Sequence, residues 1–402
     1  MRFMPYEPDQ AWLLPPSVKD VLGADHLCFF VHRVVEGLNL SKFEEAYGEE
    51  GPPAYAPALM VKVWLYAYAL QVTSSRRLEQ RIREDLAFRY LAGGATPDHW
   101  TLNDFRTRHR RAINDVFLQV VEVARGLGMG CLGHVAIDST RVRANASRRR
   151  TETVQEVRQR LAQTRRQIRR WQQQVAAAEH DEEPGTQVNP SYKQRLQQQL
   201  AETRRKLQEL AKSGARQLSR TDPDSRFLRQ GSSFVLGYTV DLAVSDDHLI
   251  VAQRATQAVS DSESLLPMVD RVMESCGEWP AQASADSAFF SVPNVVGLET
   301  RGIEGFVPDP HLSGELQHHR GPLKMPGDSP EHCRMRARLR SRKGKIRYRR
   351  RQALVEPVIG VLKEQRGMRG VRLRGLSKVG AEIALACTAF NLTRLWRKTA
   401  RA

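Results

Sequence analysis

Two seven-residue repeats within residues 148–215 limit the fold more than any other feature. Val154, Val157, Leu161, Thr164, Ile168, Trp171, Val175 and Ala178 follow one another at alternating steps of three and four residues. A helix that buries one narrow seam repeats in this way, and a strand does not. Pro184-Gly185 and Asn189-Pro190 interrupt the pattern, and Leu196, Leu200, Thr203, Leu207 and Leu210 resume it. Two seams around a short polar loop predict an antiparallel helical hairpin. Its outer faces are rich in Gln and Arg, which suits an arm standing in water: a passive insertion, a dimerisation device or a DNA contact. Such an arm supplies no strand, so any sheet is assembled from sequence on both sides of it.

The preceding residues read as helical. Residues 58–72 form an apolar helix behind Pro57. In residues 76–91, Leu78, Ile82, Leu86 and Tyr90 recur at fourth positions. Thr101-Leu102-Asn103-Asp104 opens a further helix with Phe105, Ile113 and Phe117 on one face. Arg76, Arg77, Arg81, Arg83, Arg106, Arg108, Arg110 and Arg111 decorate these helices. That pattern suits a helix-turn-helix-like DNA reader, or a solvated bundle. Beyond the hairpin, period-two alternation appears at Phe234, Leu236, Tyr238, Val240 and Leu242. Asp246-Asp247 then turns the chain into Leu249-Ile250-Val251-Ala252. Residues 262–273 fit a helix with Leu265, Leu266, Val269 and Val272 inward, and residues 281–286 fit another strand.

The formal net charge of +17 and pI near 10 call for a polyanionic partner, most simply nucleic acid. An anionic membrane would need an apolar anchor, and no run of about 18 apolar residues occurs. Residues 1–16 are mixed in charge and Pro-rich, unlike a signal peptide. The five scattered cysteines, none in a CxxC pair, fit reduced thiols in the cytoplasm.

Against this basic background one acid stands out. Eleven of the eighteen residues 334–351 are Arg or Lys, and Glu356 follows closely. A carboxylate there does what positive charge cannot, such as holding Mg²⁺ beside a phosphate. Two short apolar runs also end in acids: His134-Val135-Ala136-Ile137-Asp138 and Ala281-Gln282-Ala283-Ser284-Ala285-Asp286. A strand ending in Asp places a carboxylate at the sheet edge where α/β active sites sit. Each Asp singly could equally be a helix cap or turn residue. Together with Glu356 they read as a site.

Asp138, Asp286 and Glu356 resemble the acidic triad of the DDE transposases of bacterial insertion sequences. Tyr348, Arg351, Glu356 and Lys363 resemble the Tyr-Arg-Glu-Lys signature of one branch, Tyr-x₂-Arg-x₃-Glu-x₆-Lys. Here four residues separate Arg351 from Glu356, and the arginine slot counted back from Glu356 falls on Gln352. The phrases Ile137-Asp138-Ser139-Thr140, Asp286-Ser287-Ala288-Phe289-Phe290-Ser291 and Phe390-Asn391-Leu392 share the likeness. The resemblance implies a mixed α/β, ribonuclease-H-like catalytic core at residues 126–400, preceded by a helical DNA-binding domain at residues 1–125. Insertions would interrupt the core at residues 148–215, the hairpin, and at residues 300–347, a basic segment. It further implies two Mg²⁺ ions, replaceable by Mn²⁺, on Asp138, Asp286 and Glu356. Tyr348, Arg351 and Lys363 would contact DNA, with Arg336, Arg338 and Arg340 neutralising phosphates. The implied partners are double-stranded DNA, both terminal inverted repeats and target, and a second copy of the chain; the implied location is the nucleoid. A catalytically inactive DNA-binding relative is the alternative. A structural RNA-associated protein would explain the charge but not the three acids.

Overall fold

The structure, a computed structural model, describes residues 17–47, 53–180, 190–213, 217–310 and 327–400. Eight helices come first: α1 (Val18–Val21), α2 (Leu27–Glu36), α3 (Ser41–Glu44), α4 (Pro57–Ala69), α5 (Ser75–Glu84), α6 (Leu86–Leu91), α7 (His99–Arg108) and α8 (Arg110–Gly126). Pro57 occupies the first turn of α4, where its missing N–H costs nothing. The single helix expected over residues 76–91 is two. Asp85 adopts an extended backbone, and its carboxylate accepts from the Ala87 and Phe88 N–H groups to start α6. The break resets the helical phase, so Phe88 and Leu91 are buried while Leu86 is exposed. Arg106 is not the surface group expected: it is buried, with its guanidinium 3.9 Å from the Trp64 ring centroid. It donates to the Tyr68 hydroxyl at 3.0 Å and the Thr73 carbonyl at 3.1 Å. The other seven arginines of that group remain exposed.

Strand β1 (Val135–Arg143) leads to β2 (Thr151–Thr153), and two long helices follow, α9 (Val154–His180) and α10 (Pro190–Ser213). The seam positions of α9 and α10 are buried or half-buried along both helices, wherever described. Val157 and Leu210 share a small apolar cluster with Leu218, and Lys193 lies over the Trp171 ring. Then come β3 (Gln217–Ser219), β4 (Arg226–Gln230), β5 (Ser233–Ser245) and β6 (Ile250–Thr256). Helix α11 (Leu265–Cys276), β7 (Gln282–Ser284), α12 (Val292–Thr300) and β8 (Glu304–Phe306) come next. Three C-terminal helices close the chain: α13 (Pro330–Arg340), α14 (Arg342–Gln365) and α15 (Leu376–Thr399).

Among the described residues the main sheet is mixed, in the order β4-β5-β1-β7-β8, with β6 also on β5. β5 runs antiparallel to β1 along its whole length, from Val135↔Ser245 to Arg143↔Gly237. β7 is parallel to β1 and to β8. β2 pairs only with β3, at the foot of α9 and α10. The expected basic segment at 300–347 contains β8, a strand of the sheet itself, and the basic run is helical rather than a loop. Nor does the core divide at residue 125. One continuous apolar cluster joins α2, α4 and α8 to the sheet and to α15, because α15 buries most of its length against α8, α4 and β6. No helix among the described residues is long and apolar enough to cross a membrane.

Candidate active site

The site begins with strand register. β1 and β7 pair in parallel with Ala136 beside Ser284. Two residues further on, Asp138 and Asp286 stand beside each other at the carboxyl end of β7. Asp286 ends its strand by capping a 3₁₀ turn, accepting from the Ala288 N–H at 2.9 Å. Asp138 lies within β1, largely buried, and accepts from the Ser139 N–H at 2.8 Å and Arg351 Nη1 at 3.0 Å. Burial pushes its carboxyl up to about 6. Arg351 opposes this, and the negative charges of Asp286 and Asp261 add to it.

Helix α14 crosses β1 and β5 and carries the other expected residues. Arg351 is buried beneath the Tyr348 ring, 5.8 Å from its centroid, and reaches Asp138. Gln352, which occupies the counted-back arginine slot, is exposed. Tyr348 packs beside Val295, Phe306, Met335 and Leu339, and burial raises its phenol above the ordinary range. Glu356 is exposed. Five residues beyond Arg351, it lies about 140° around the helix from that arginine at 3.6 residues per turn, on the face of Lys363, whose ammonium feels the charge of Asp138. The structure thus brings Asp138 and Asp286 together. No group of three His, Cys, Asp or Glu able to hold a metal occurs among the described residues. Lys363 shares the Glu356 face, two turns on, and is half-buried, its ammonium making no hydrogen bond or ion pair among the described residues. Burial, then the charge of Arg369, lowers its ammonium pKa.

The three expected phosphate contacts of α13 separate. Arg336 is buried and donates to Asp309 at 2.6 Å and to Asp328. Its charge is therefore neutralised inside the protein and is not the phosphate contact expected. Arg338 donates to the Gly305 carbonyl at 3.1 Å and lies 3.6 Å from Glu299. Arg340 is half-exposed in the last turn of α13.

Sequence reasoning missed two layers behind Asp138. Arg141 of β1 holds Asp261 through two bonds of 2.9 and 3.1 Å, and burial raises the Asp261 pKa. Ser139 donates to the buried Asp241 at 2.7 Å, which Arg254 also grips at 2.9 and 3.2 Å. Partners more than a hundred residues apart leave no local pattern. The one available hint was Asp241 itself, an acid inside an alternating apolar run.

Residues 16–108 match the family described as Transposase domain (DUF772). Residues 326–396 match the family described as Transposase DDE domain. No curated protein and no solved structure matches the chain. The first match spans the helices up to α7. The second spans α13, α14 and most of α15, and so includes Tyr348, Arg351, Glu356 and Lys363. On these two matches the chain carries transposase domains, and they support a DDE transposase.

Proposed function

We propose that this chain is the transposase of an insertion sequence, which cleaves DNA strands at the ends of its element and transfers them to target DNA. The observation that carries this reading is the pairing of Asp138 with Asp286 on adjacent parallel strands, under a helix that matches a transposase DDE domain. The sheet order, with one long antiparallel strand between β1 and β6, supports a ribonuclease-H-like core. α9 and α10 support an antiparallel hairpin, since Val157 meets Leu210 and Trp171 meets Lys193.

Asp138 and Asp286 fit a divalent cation. They are hard oxygen ligands, and Asp138, whose carboxyl burial pushes up with a lesser push from Asp286, is a carboxylate whose ionised form such a cation would stabilise. Two Mg²⁺ ions, or Mn²⁺, would be held by Asp138, Asp286 and Glu356; they would activate the attacking oxygen and stabilise the leaving one. The remaining work falls to the chain. Arg351 neutralises Asp138 until a cation takes its place, and Tyr348 fixes the guanidinium by packing over it. Lys363, unpaired among the described residues, takes a DNA phosphate, and Arg338 and Arg340 add positive charge to the same backbone. The exposed arginines of α5, α7 and α8 read the terminal inverted repeat, and a dimer holds two element ends. Glu356 joins the aspartates when DNA is bound.

One observation favours a second reading, a DNA-binding relative without catalysis: among the described residues no group of three His, Cys, Asp or Glu is arranged to hold a metal. A Mg²⁺-dependent nicking assay on DNA carrying the sequence that flanks the gene separates the two. Cleavage by the wild type, lost in both Asp138→Ala and Glu356→Ala with DNA binding kept, supports the transposase. Binding without cleavage supports the relative, and cleavage that survives Glu356→Ala removes that residue from the site.

A further inference from the structure

A cavity of about 630 Å³ opens beside Lys363, lined by Gln71 of the turn after α4, Arg143 and Arg148 after Asp138, and Arg372 after α14. Its floor is fixed by backbone bonds. The end of β1 is stitched to the segment after α14 by Val371 N–H to Arg143 O at 2.8 Å and Arg143 N–H to Arg369 O at 3.2 Å. Its rim is fixed too. Gln71 holds a left-handed backbone, φ 63°, a conformation unfavourable for a non-glycine residue. Its amide donates to the Glu364 carbonyl at 2.9 Å. Gly367, φ 72°, lets this turn close in, because a Cβ there would meet Thr73 at 3.0 Å.

The charges on this wall are unbalanced. The carboxylate of Glu364 is engaged by Arg369 at 2.8–3.1 Å. Arg143, Arg148, Lys363 and Arg372 form no ion pair among the described residues, and the three arginines are exposed. Every other part of the site matches its cations to carboxylates: Arg351 to Asp138, Arg141 to Asp261, Arg254 to Asp241. Four unmatched cations in a rigid, polar, open groove call for a repeated anion. Arg143 lies five residues along β1 from Asp138, about 16 Å at 3.3 Å per residue. Measured along a duplex axis, that distance corresponds to about five base-pair rises of 3.4 Å.

We propose that this groove seats the phosphate backbone of the DNA strand that leads into the Asp138–Asp286 pair, through Arg143, Arg148 and Arg372. The proposal rests on DNA being the substrate. It places the seat at the junction between the N-terminal helices and the sheet, away from the basic helix α13.

The test measures the affinity of a fluorescein-labelled 30-base-pair duplex by anisotropy across a salt series, without Mg²⁺. The variants are Arg143→Gln/Arg148→Gln/Arg372→Gln, the same three changed to Lys, and a control, Arg158→Gln/Arg165→Gln/Arg169→Gln, on the outer face of α9. Each lost phosphate contact flattens the slope of log K against log salt by about 0.9. The groove Gln variant is expected to lose about 2.7 from the slope, while the Lys variant and the control keep it. An unchanged slope in the groove Gln variant, or an equal loss in the control, overturns the proposal while leaving DNA binding by the chain intact. A wild type that binds no duplex overturns the proposal and the transposase reading together. Groove-dependent binding by a wild type that never cleaves supports the groove and sinks only the catalytic reading.

Discussion

Replacing Asp138 with Asn should make the metal-free protein more stable at neutral pH while removing its chemistry. The folded-state carboxyl titrates near 6 against an ordinary 3.8, chiefly because it is buried. The native state therefore binds more protons than the unfolded chain between about pH 4 and pH 6. Stability is highest below that window and falls as pH rises through it. A shift of about two units corresponds to about 3 kcal/mol, at 1.36 kcal/mol per unit. Asn stands in for the protonated acid. Its oxygen can still accept from the Ser139 N–H, now at 2.8 Å, and face Arg351. Unfolding entropy of about 2.1 cal/mol/K per residue gives roughly 0.8 kcal/mol/K for a chain of this length, so Tm should rise by about 3–4 °C. The assay is thermal unfolding in EDTA at pH 8 and pH 4 for both proteins. The gain should be present at pH 8 and absent at pH 4, where the wild-type carboxyl is already protonated. A variant less stable at pH 8 would show that the Arg351 pair outweighs the burial of Asp138. A gain of the same size at pH 4 would show that ionisation is not its cause. The expected gain would also mean that the site keeps an ionised carboxylate at a cost to stability, as functional sites often do.

Two other outcomes follow from the same contacts. Arg336→Met leaves the buried Asp309 without its guanidinium, so Tm should fall by roughly 4–6 °C, from a loss of about 3–5 kcal/mol, with the DNA salt slope unchanged; a flattened slope at unchanged Tm would return Arg336 to the surface. Replacing residues 165–202 by a Gly-Ser bridge keeps the cluster of Val157, Leu210 and Leu218 and the grip of Arg160, Lys206 and Arg220 on the buried Glu152. Such a protein should unfold cooperatively within about 2 °C of the parent, since the removed turns lie outside the main core, and failure to fold would make the long helices part of it.

Period and punctuation made the elements legible in the sequence. The three-and-four spacing from Val154 to Leu210 marked two helices and the faces they bury. Alternation from Phe234 to Leu242 marked the long strand, and the small-residue runs before Asp138 and Asp286 marked two strands that turn out to be paired. These signals are local, since a helix or strand repeats its buried positions within a few residues. The charge surplus likewise needed only counting. Choices between distant partners were not legible. Eight arginines looked alike on the N-terminal helices, yet Arg106 is buried on Trp64 while the rest face water. In the run from 334 to 351, Arg336 is enclosed by acids, Arg351 meets Asp138, and others stay exposed. Asp261 joined the site only because a β-strand and a 3₁₀ turn bring it to Arg141. Burial and partner set the charge state of an ionisable group, and both are decided by other elements of the chain, from Asp328 eight residues before Arg336 to Asp138 more than two hundred before Arg351. The sequence by itself therefore determined the longer helices and strands and the surplus of positive charge. The tertiary structure alone decided which of the many like charges are spent inside the protein, which are left unpaired at its surface, and that Asp138 and Asp286 come together.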